Sequence, residues 1–264
     1  MLSALPLVLL LAGDACPAGR APEDANAFVR GLVGEQRHRE EALSRYAYDI
    51  IETRERLDKK GVARHKEIRA YEVFYVRGRP VRRQVARDGH ELTGRDRERE
   101  DREAQELAEA IRDGRAISEK PGVRLSRILE QYDFEAHGAE RVEGRCLLVF
   151  DFAARPGDVE LDRDELLRKL AGRLWVDEED LAMARLEVRN TAGLRFALGL
   201  GASVSTLSFR MAFSRMEEGV WLPRQLESYA EGRRLLFFRF RSRRTTTYSN
   251  HRRFEVGVEE RIRP

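Results

Sequence analysis

Gly172-Arg173-Leu174-Trp175-Val176-Asp177 puts a Trp between apolar residues, and Gly219-Val220-Trp221-Leu222-Pro223 does so again some 45 residues on. Each stretch reads as the start of a strand beside a turn. Between and after them the chain alternates with period two. Leu207, Phe209, Met211 and Phe213 are large and apolar, while Ser208, Arg210 and Ala212 take the positions between. That pattern belongs to antiparallel strands with one face buried and one wet. From Gly172 onward the spacing predicts strands over Leu174–Val176, Ala182–Arg189, Val204–Met216, Val220–Ala230 and Leu235–Tyr248. Glu217-Glu218-Gly219 and Glu231-Gly232 are expected to be the tight turns between the last three.

The first half carries the same signals. Residues 24–45 read as a helix that Asp24 or Asn26 can cap, with a stripe of Phe28, Leu32 and Val33 that weakens after Gly34. The period then changes to two at Tyr46, Tyr48 and Ile50. Asp58-Lys59-Lys60-Gly61 and Arg77-Gly78 turn a meander whose later strands hold Tyr71, Val73, Tyr75 and Val81–Val85. Residues 93–113 break the pattern. Thr93 stands three before Asp96 as a weak capping box, and Glu98/Arg102 and Arg99/Glu103 are spaced for i,i+4 pairs, so a solvated helix is expected there. Strands are expected again at Ile128–Phe134 and Cys146–Phe152, with a short helix over Asp162–Ala171. The whole reads as mostly β with some α: one large curled antiparallel sheet, an incomplete barrel, with an N-terminal amphipathic helix and short helical excursions.

The chain has 264 residues, with 49 Lys+Arg against 46 Asp+Glu, a net charge of +3. So even a balance excludes a general polyanion binder. Only five of those cations are Lys, so an individual Arg says little about bidentate recognition. Residues 2–13 form a short apolar run followed by small residues. That length fits a signal-peptide core, whereas a spanning helix needs roughly 20 residues. The expectation is a leader over 1–21, one domain over 22–264, and export to the periplasm or cell envelope. Lipid anchoring at Cys16 is disfavoured, because Gly13 and Asp14 stand where a lipobox wants an aliphatic and a small residue. Cys16 and Cys146 are too few for a disulfide framework, and Cys146, in Cys146-Leu147-Leu148-Val149-Phe150, reads as a buried small hydrophobe.

Catalytic signatures are absent. The five histidines are scattered, which disfavours a metal site, and neither a nucleophile elbow nor a dinucleotide fingerprint is completed around Gly199–Ser205. No cofactor and no enzymatic activity are expected. From Arg233 to Pro264 ten Arg and three Glu surround Phe237, Phe238, Phe240, Tyr248 and Phe254. No nucleic-acid motif accompanies them. Two readings stand: Arg239, Arg241 and Arg243 meet an anionic membrane surface or an envelope protein partner, or they decorate the wet face of a terminal strand.

The two Trp motifs, with Ala184-Arg185-Leu186-Glu187 between them, resemble those of outer-membrane lipoprotein-sorting proteins of the LolA/LolB-like superfamily, over roughly residues 24–254. There a G-x-L-W-hydrophobic-D strand pairs with an R-L-E strand, and a later strand opens with V-W-L-P. The resemblance implies an incomplete antiparallel barrel whose apolar side, covered by helices, takes acyl chains of lipids or lipoproteins, as a carrier without covalent chemistry. Gly172, Trp175, Asp177, Trp221 and Pro223 are then structural, and the cavity is expected to be lined by Tyr71, Val73, Tyr75, Phe209, Met211, Phe213, Phe238 and Phe240.

Overall fold

The structure, a computed structural model, describes residue 16 and residues 22–115, 125–155, 167–196, 202–216, 219–234 and 238–253. The leader expected over 1–21, apart from Cys16, lies outside these residues. So do most of the helix expected over Asp162–Ala171 and the Gly199–Gly201 connection.

Two short helices open the fold, α1 (Ala25–Gly31) and α2 (Val33–Leu43). Asp24 caps the first, its Oδ1 accepting the N–H of Ala27 at 2.9 Å. The single helix expected over 24–45 is therefore interrupted at Leu32, where the C-cap of one helix is the N-cap of the next. Twelve strands follow among the described residues. They are β1 (Tyr46–Leu57), β2 (Ala63–Val76), β3 (Arg79–Arg87), β4 (His90–Glu91), β5 (Tyr132–Val142), β6 (Arg145–Ala154), β7 (Leu170–Asp177), β8 (Ala182–Asn190), β9 (Leu194–Phe196), β10 (Ala202–Arg215), β11 (Trp221–Arg234) and β12 (Phe238–Arg253). Helices α3 (Gly94–Arg112) and α4 (Leu125–Gln131) lie between β4 and β5.

All strands join one antiparallel sheet in the order β4-β3-β2-β1-β12-β11-β10-β8-β7-β6-β5, with β9 on β10. The sheet is open, ending at β4 and β5. Register shifts along β1, β2, β5, β7, β10 and other strands mark bulges, which add local twist and bend a sheet this wide into a curl. One shift falls where Phe213 faces Pro223, a residue with no N–H to give the ladder.

Both faces are packed, by different elements. On the first face α1, α2 and α4 cover the β5–β8 side. Val29, Leu32 and Leu129 meet Phe134, Phe150, Leu174, Val176 and Leu186 there. Farther along the same face Tyr46, Tyr48, Ile50, Val73 and Leu222 form a second cluster. On the opposite face α3 lies over β2 and β3, burying Ala104, Ala108 and Ile111 against Val76 and Val81. Its polar side carries the expected Glu98/Arg102 and Arg99/Glu103 pairs, at 3.9 and 3.8 Å. Thr93 is the N-cap but makes no side-chain capping bond, so that expectation fails.

Four other expectations are corrected. Ile128–Gln131 is the end of α4, and only Tyr132–Phe134 is strand. Leu170 and Ala171 belong to β7, so Trp175 lies well inside its strand and only Trp221 begins one. Glu231-Gly232 is no turn, because β11 continues to Arg234. A Cβ on Gly232 would lie 2.1 Å from the Ser203 carbonyl oxygen and 2.9 Å from the Phe240 ring, so glycine serves close packing there. Finally, Cys16 and Cys146 form a disulfide across 130 residues of chain, and Cys146 is not the lone buried thiol expected. Alkylation of the unfolded, unreduced protein is expected to label no cysteine, with two labels appearing after reduction. Labelling before reduction contradicts the bond.

Candidate functional site

The two Trp motifs converge on the β7–β8 turn. Asp177, fully buried, accepts two bonds from Arg145, 2.5 Å from Nε and 2.6 Å from Nη2. It also accepts the backbone N–H groups of Glu179 and Asp180 at 3.2 and 2.8 Å. Asp180 Oδ2 in turn accepts from Trp221 Nε1 at 2.9 Å, Arg215 Nε at 2.6 Å and Arg145 Nη2 at 3.1 Å. Burial alone would raise the Asp180 carboxyl, but the bonds from Trp221 and Arg215 and the nearby charges hold it below the usual carboxylate range. The bonds to Asp177 push Arg145 above its ordinary value. Arg39 of α2 completes the joint, donating to the backbone oxygens of Asp180 and Leu181 at 2.9 and 3.0 Å. Behind it Trp175 and Trp221 pack with Leu147, Val149, Ala182 and Ala184.

Gly172 allows the motif's strand its close approach. A Cβ there would lie 1.9 Å from the Glu187 carbonyl oxygen and 2.7 Å from the Phe152 ring. Phe152 is its cross-strand neighbour on β6 and Val188 its neighbour on β8.

The face opposite the helix layer carries a groove of about 690 Å³ along β7, β8, β10 and β11. Trp175 forms part of its wall, donating Nε1–H to Glu140 at 2.9 Å with the Arg185 guanidinium 4.6 Å over its ring. The rest is mostly ion pairs. Arg173 Nε meets Asp151 at 2.7 Å, with His137 Nδ1 at 2.8 Å from the same carboxylate. Arg210 Nε meets Glu187 at 2.7 Å, and Arg185 meets it as well. Five Arg (173, 185, 189, 210 and 243) stand against Glu140, Asp151, Glu187 and Glu227, close to electroneutrality. Hydrogen bonds from Arg173 hold the Asp151 carboxyl down. For Glu187, burial pushes upward, and the bonds from Arg185 and Arg210 outweigh it. Such a lattice is mostly paired within itself, although the buried Arg185 Nε has no hydrogen-bond partner, and it offers little to an apolar ligand. Among the described residues no group of three or more His, Cys, Asp or Glu is placed to hold a metal ion.

Seven of the eight residues expected to line an acyl cavity lie outside this groove. Tyr71, Val73 and Tyr75 join the cluster of Tyr48, Ile50 and Tyr248. The Tyr48 and Tyr75 hydroxyls are 3.3 Å apart, and burial pushes both phenols up and Tyr248 to about 12. Phe209 and Phe213 pack at the margin of the helix-covered core. Met211 pairs in register with Leu186 and Leu226. Phe240 lies against Gly232 beneath the Arg234 guanidinium, 5.0 Å from its ring centre. Phe238 stands 68% exposed at the start of β12. These residues are thus distributed over several places, and Phe209 alone also borders the polar groove. Directly beneath α2 the free space is about 10 Å³, room for a single water.

Of the three arginines assigned to an anionic surface, Arg241 pairs with Glu231 at 2.8 Å and Arg243 with Glu55 at 3.4 Å, while Arg239 is exposed. The sequence reading missed Arg145, Glu140, Leu226 and Ala230, and it named Leu207 on the apolar face without placing it in the cavity. No local signal marks Arg145 or Glu140, because their partners are 32 and 35 residues away.

The architecture defines an open, curled antiparallel half-barrel with α1, α2 and α4 on one face and α3 on the other. Its chain is similar to a solved DUF1329 family protein from Desulfovibrio piger, with 13% identity over 90% of this chain and 96% of that one and a TM-score of 0.38. It is similar also to a solved domain from Vibrio parahaemolyticus described as an outer membrane lipoprotein-sorting protein, with 11% identity over 88% and 94% of the two chains and a TM-score of 0.40. No family model and no curated protein matches the chain.

Proposed function

We propose that the protein is an exported envelope carrier that holds an acyl chain of a lipid or lipoprotein against the helix-side face of its sheet, binding and releasing it without covalent chemistry. One observation carries this reading: the apolar face of the sheet extends past the helices that cover it. Leu207, Phe209, Met211, Phe213, Leu226 and Ala230 continue the helix-covered core across β10 and β11, yet each is only partly buried. Leu207 pairs with Ala230 and Met211 with Leu226, so the strip is contiguous. An extended apolar strip beside a packed core suits a ligand with no hydrogen-bonding demand, and each methylene buried there contributes about 0.8 kcal/mol. Two features support export: the apolar run at residues 2–13, whose cleavage has to fall before Cys16 and not at residue 21 if the bond is kept, and the Cys16–Cys146 bond itself, which persists in an oxidising compartment.

Displacement of a fluorescent fatty acid tests the site. Phe209→Asp is expected to weaken binding at least tenfold, since a charge in the strip opposes burial of the chain. Met211→Gln, a milder change, is expected to weaken it severalfold with the fold retained by circular dichroism. Unchanged affinity in both variants, or no acyl ligand recovered by lipid extraction of the native protein, overturns the proposal.

A further inference from the structure

Two hairpin ends meet at one end of the sheet. β1 lies beside β12, with Arg56 opposite Ser242, and Arg241 Nη1 donates to the Asp58 backbone oxygen at 3.3 Å. The β1–β2 turn and the adjoining ends of β11 and β12 are therefore neighbours. In the turn, Asp58 accepts the N–H groups of Lys60 and Val62 at 2.8 and 3.0 Å and pairs with Arg64 at 2.7 Å. Its charge is used within the turn, leaving Lys59, Lys60 and Val62 exposed. Across the seam, β11 ends in Arg233-Arg234 and β12 begins with Phe238-Arg239, all exposed.

Charge and apolar exposure coincide there. Val62 at 52% and Phe238 at 68% are the two most exposed large hydrophobics among the described residues. Around them Lys59, Lys60, Arg233, Arg234 and Arg239 are exposed and form no close ion pair among the described residues, although Arg239 acts on Glu231 at longer range and Arg234 lies over the Phe240 ring. A little farther along the strands, Arg241 and Arg243 are both paired. Five cations outside close ion pairs, beside two protruding apolar side chains, differ from the balanced charge of the groove. A soluble polyanion would satisfy the cations but leave Phe238 and Val62 in water, and a single exposed ring makes no stacking platform for bases.

We propose that this end of the sheet docks on an anionic phospholipid bilayer. Lys59, Lys60, Arg233, Arg234 and Arg239 meet the headgroup phosphates, and Phe238 and Val62 enter the boundary between headgroups and acyl chains. The contact is independent of the acyl-chain reading, since it uses other residues and a protein that binds no fatty acid would still make it.

Co-sedimentation of the full chain with phosphatidylcholine vesicles, with and without phosphatidylglycerol, tests the docking. Binding is expected only with phosphatidylglycerol and is expected to weaken as salt rises. Lys59→Gln with Lys60→Gln is expected to cost roughly 25-fold, about fivefold per cation. Phe238→Ser is expected to cost about tenfold. Arg95→Gln with Arg102→Gln, on the distant helix α3, is expected to change binding less than twofold. Phe238→Trp adds a positive readout: its emission is expected to be quenched by bromine-labelled acyl chains only when phosphatidylglycerol is present. Equal binding to neutral vesicles, no loss in either rim variant, an unquenched Phe238→Trp, or capture of soluble acidic protein in place of vesicles overturns the proposal.

Discussion

Asp177→Ala is expected to lower the unfolding free energy by about 3 kcal/mol, read from urea denaturation followed by the fluorescence of Trp175 and Trp221. The carboxylate is fully buried and bonds two nitrogens of Arg145 and two backbone N–H groups of the β7–β8 turn. Its loss orphans those turn donors. Arg145 is not stranded, because Asp180 and Glu179 stay within 3.1 Å of it, which keeps the effect at the lower end for a broken buried pair. Asp177→Asn keeps Oδ1 as acceptor for both turn N–H groups but turns the Oδ2 acceptor of Arg145 Nε into an amide donor, so it is expected to cost less than alanine without being neutral. A loss under about 1 kcal/mol for Asp177→Ala would mean that the joint of the two motifs contributes little to the fold.

Gly172→Ala is expected to cost about 3 kcal/mol as well, lowering the thermal midpoint by roughly 6–12 °C in a domain of this size. The added methyl would stand 1.9 Å from the Glu187 carbonyl oxygen, a backbone atom that moves only if β8 moves. The second contact, the Phe152 ring at 2.7 Å, is a side chain and can be trimmed. Phe152→Leu added to Gly172→Ala is therefore expected to leave most of the loss in place. Full rescue by that second change would place the strain on the ring instead of on the strand approach.

The two effects show where local reading stops. Alternation of Leu207, Phe209, Met211 and Phe213 was enough to name β10 and its apolar face, because the period is a property of one strand. The partners of that face were not legible. That Met211 lies between Leu186 and Leu226 depends on register, and register is set by bulges such as the one at Phe213 and Pro223. Glycine was read by its commonest use. Gly219 does sit at a turn with φ of 78°, but Gly232 lies within β11 because the Ser203 backbone on one neighbouring strand and the Phe240 ring on the other leave no room for a Cβ. Ile128–Gln131 is apolar enough for strand or helix, and packing of Leu129 under α1 and α2 decided for helix. The polar groove was invisible for another reason. Its walls are the positions that alternation marks as wet, Ser208 and Arg210 among them, and only the folded register gathers them into a concavity.

The β1–β12 seam bears on how the chain comes to be folded at all. Spatially β12 is a middle strand, flanked by β1 on one side and β11 on the other, yet in chain order it comes after all the rest. Tyr46 waits for Arg253, more than 200 residues downstream. Until β12 emerges, β1–β4 and β5–β11 are separate ribbons, each with a long unpaired edge of the kind that invites wrong partners. Joining of the two ribbons thus waits for β12. That makes β12 the keystone through which the first half of the molecule is joined to the second.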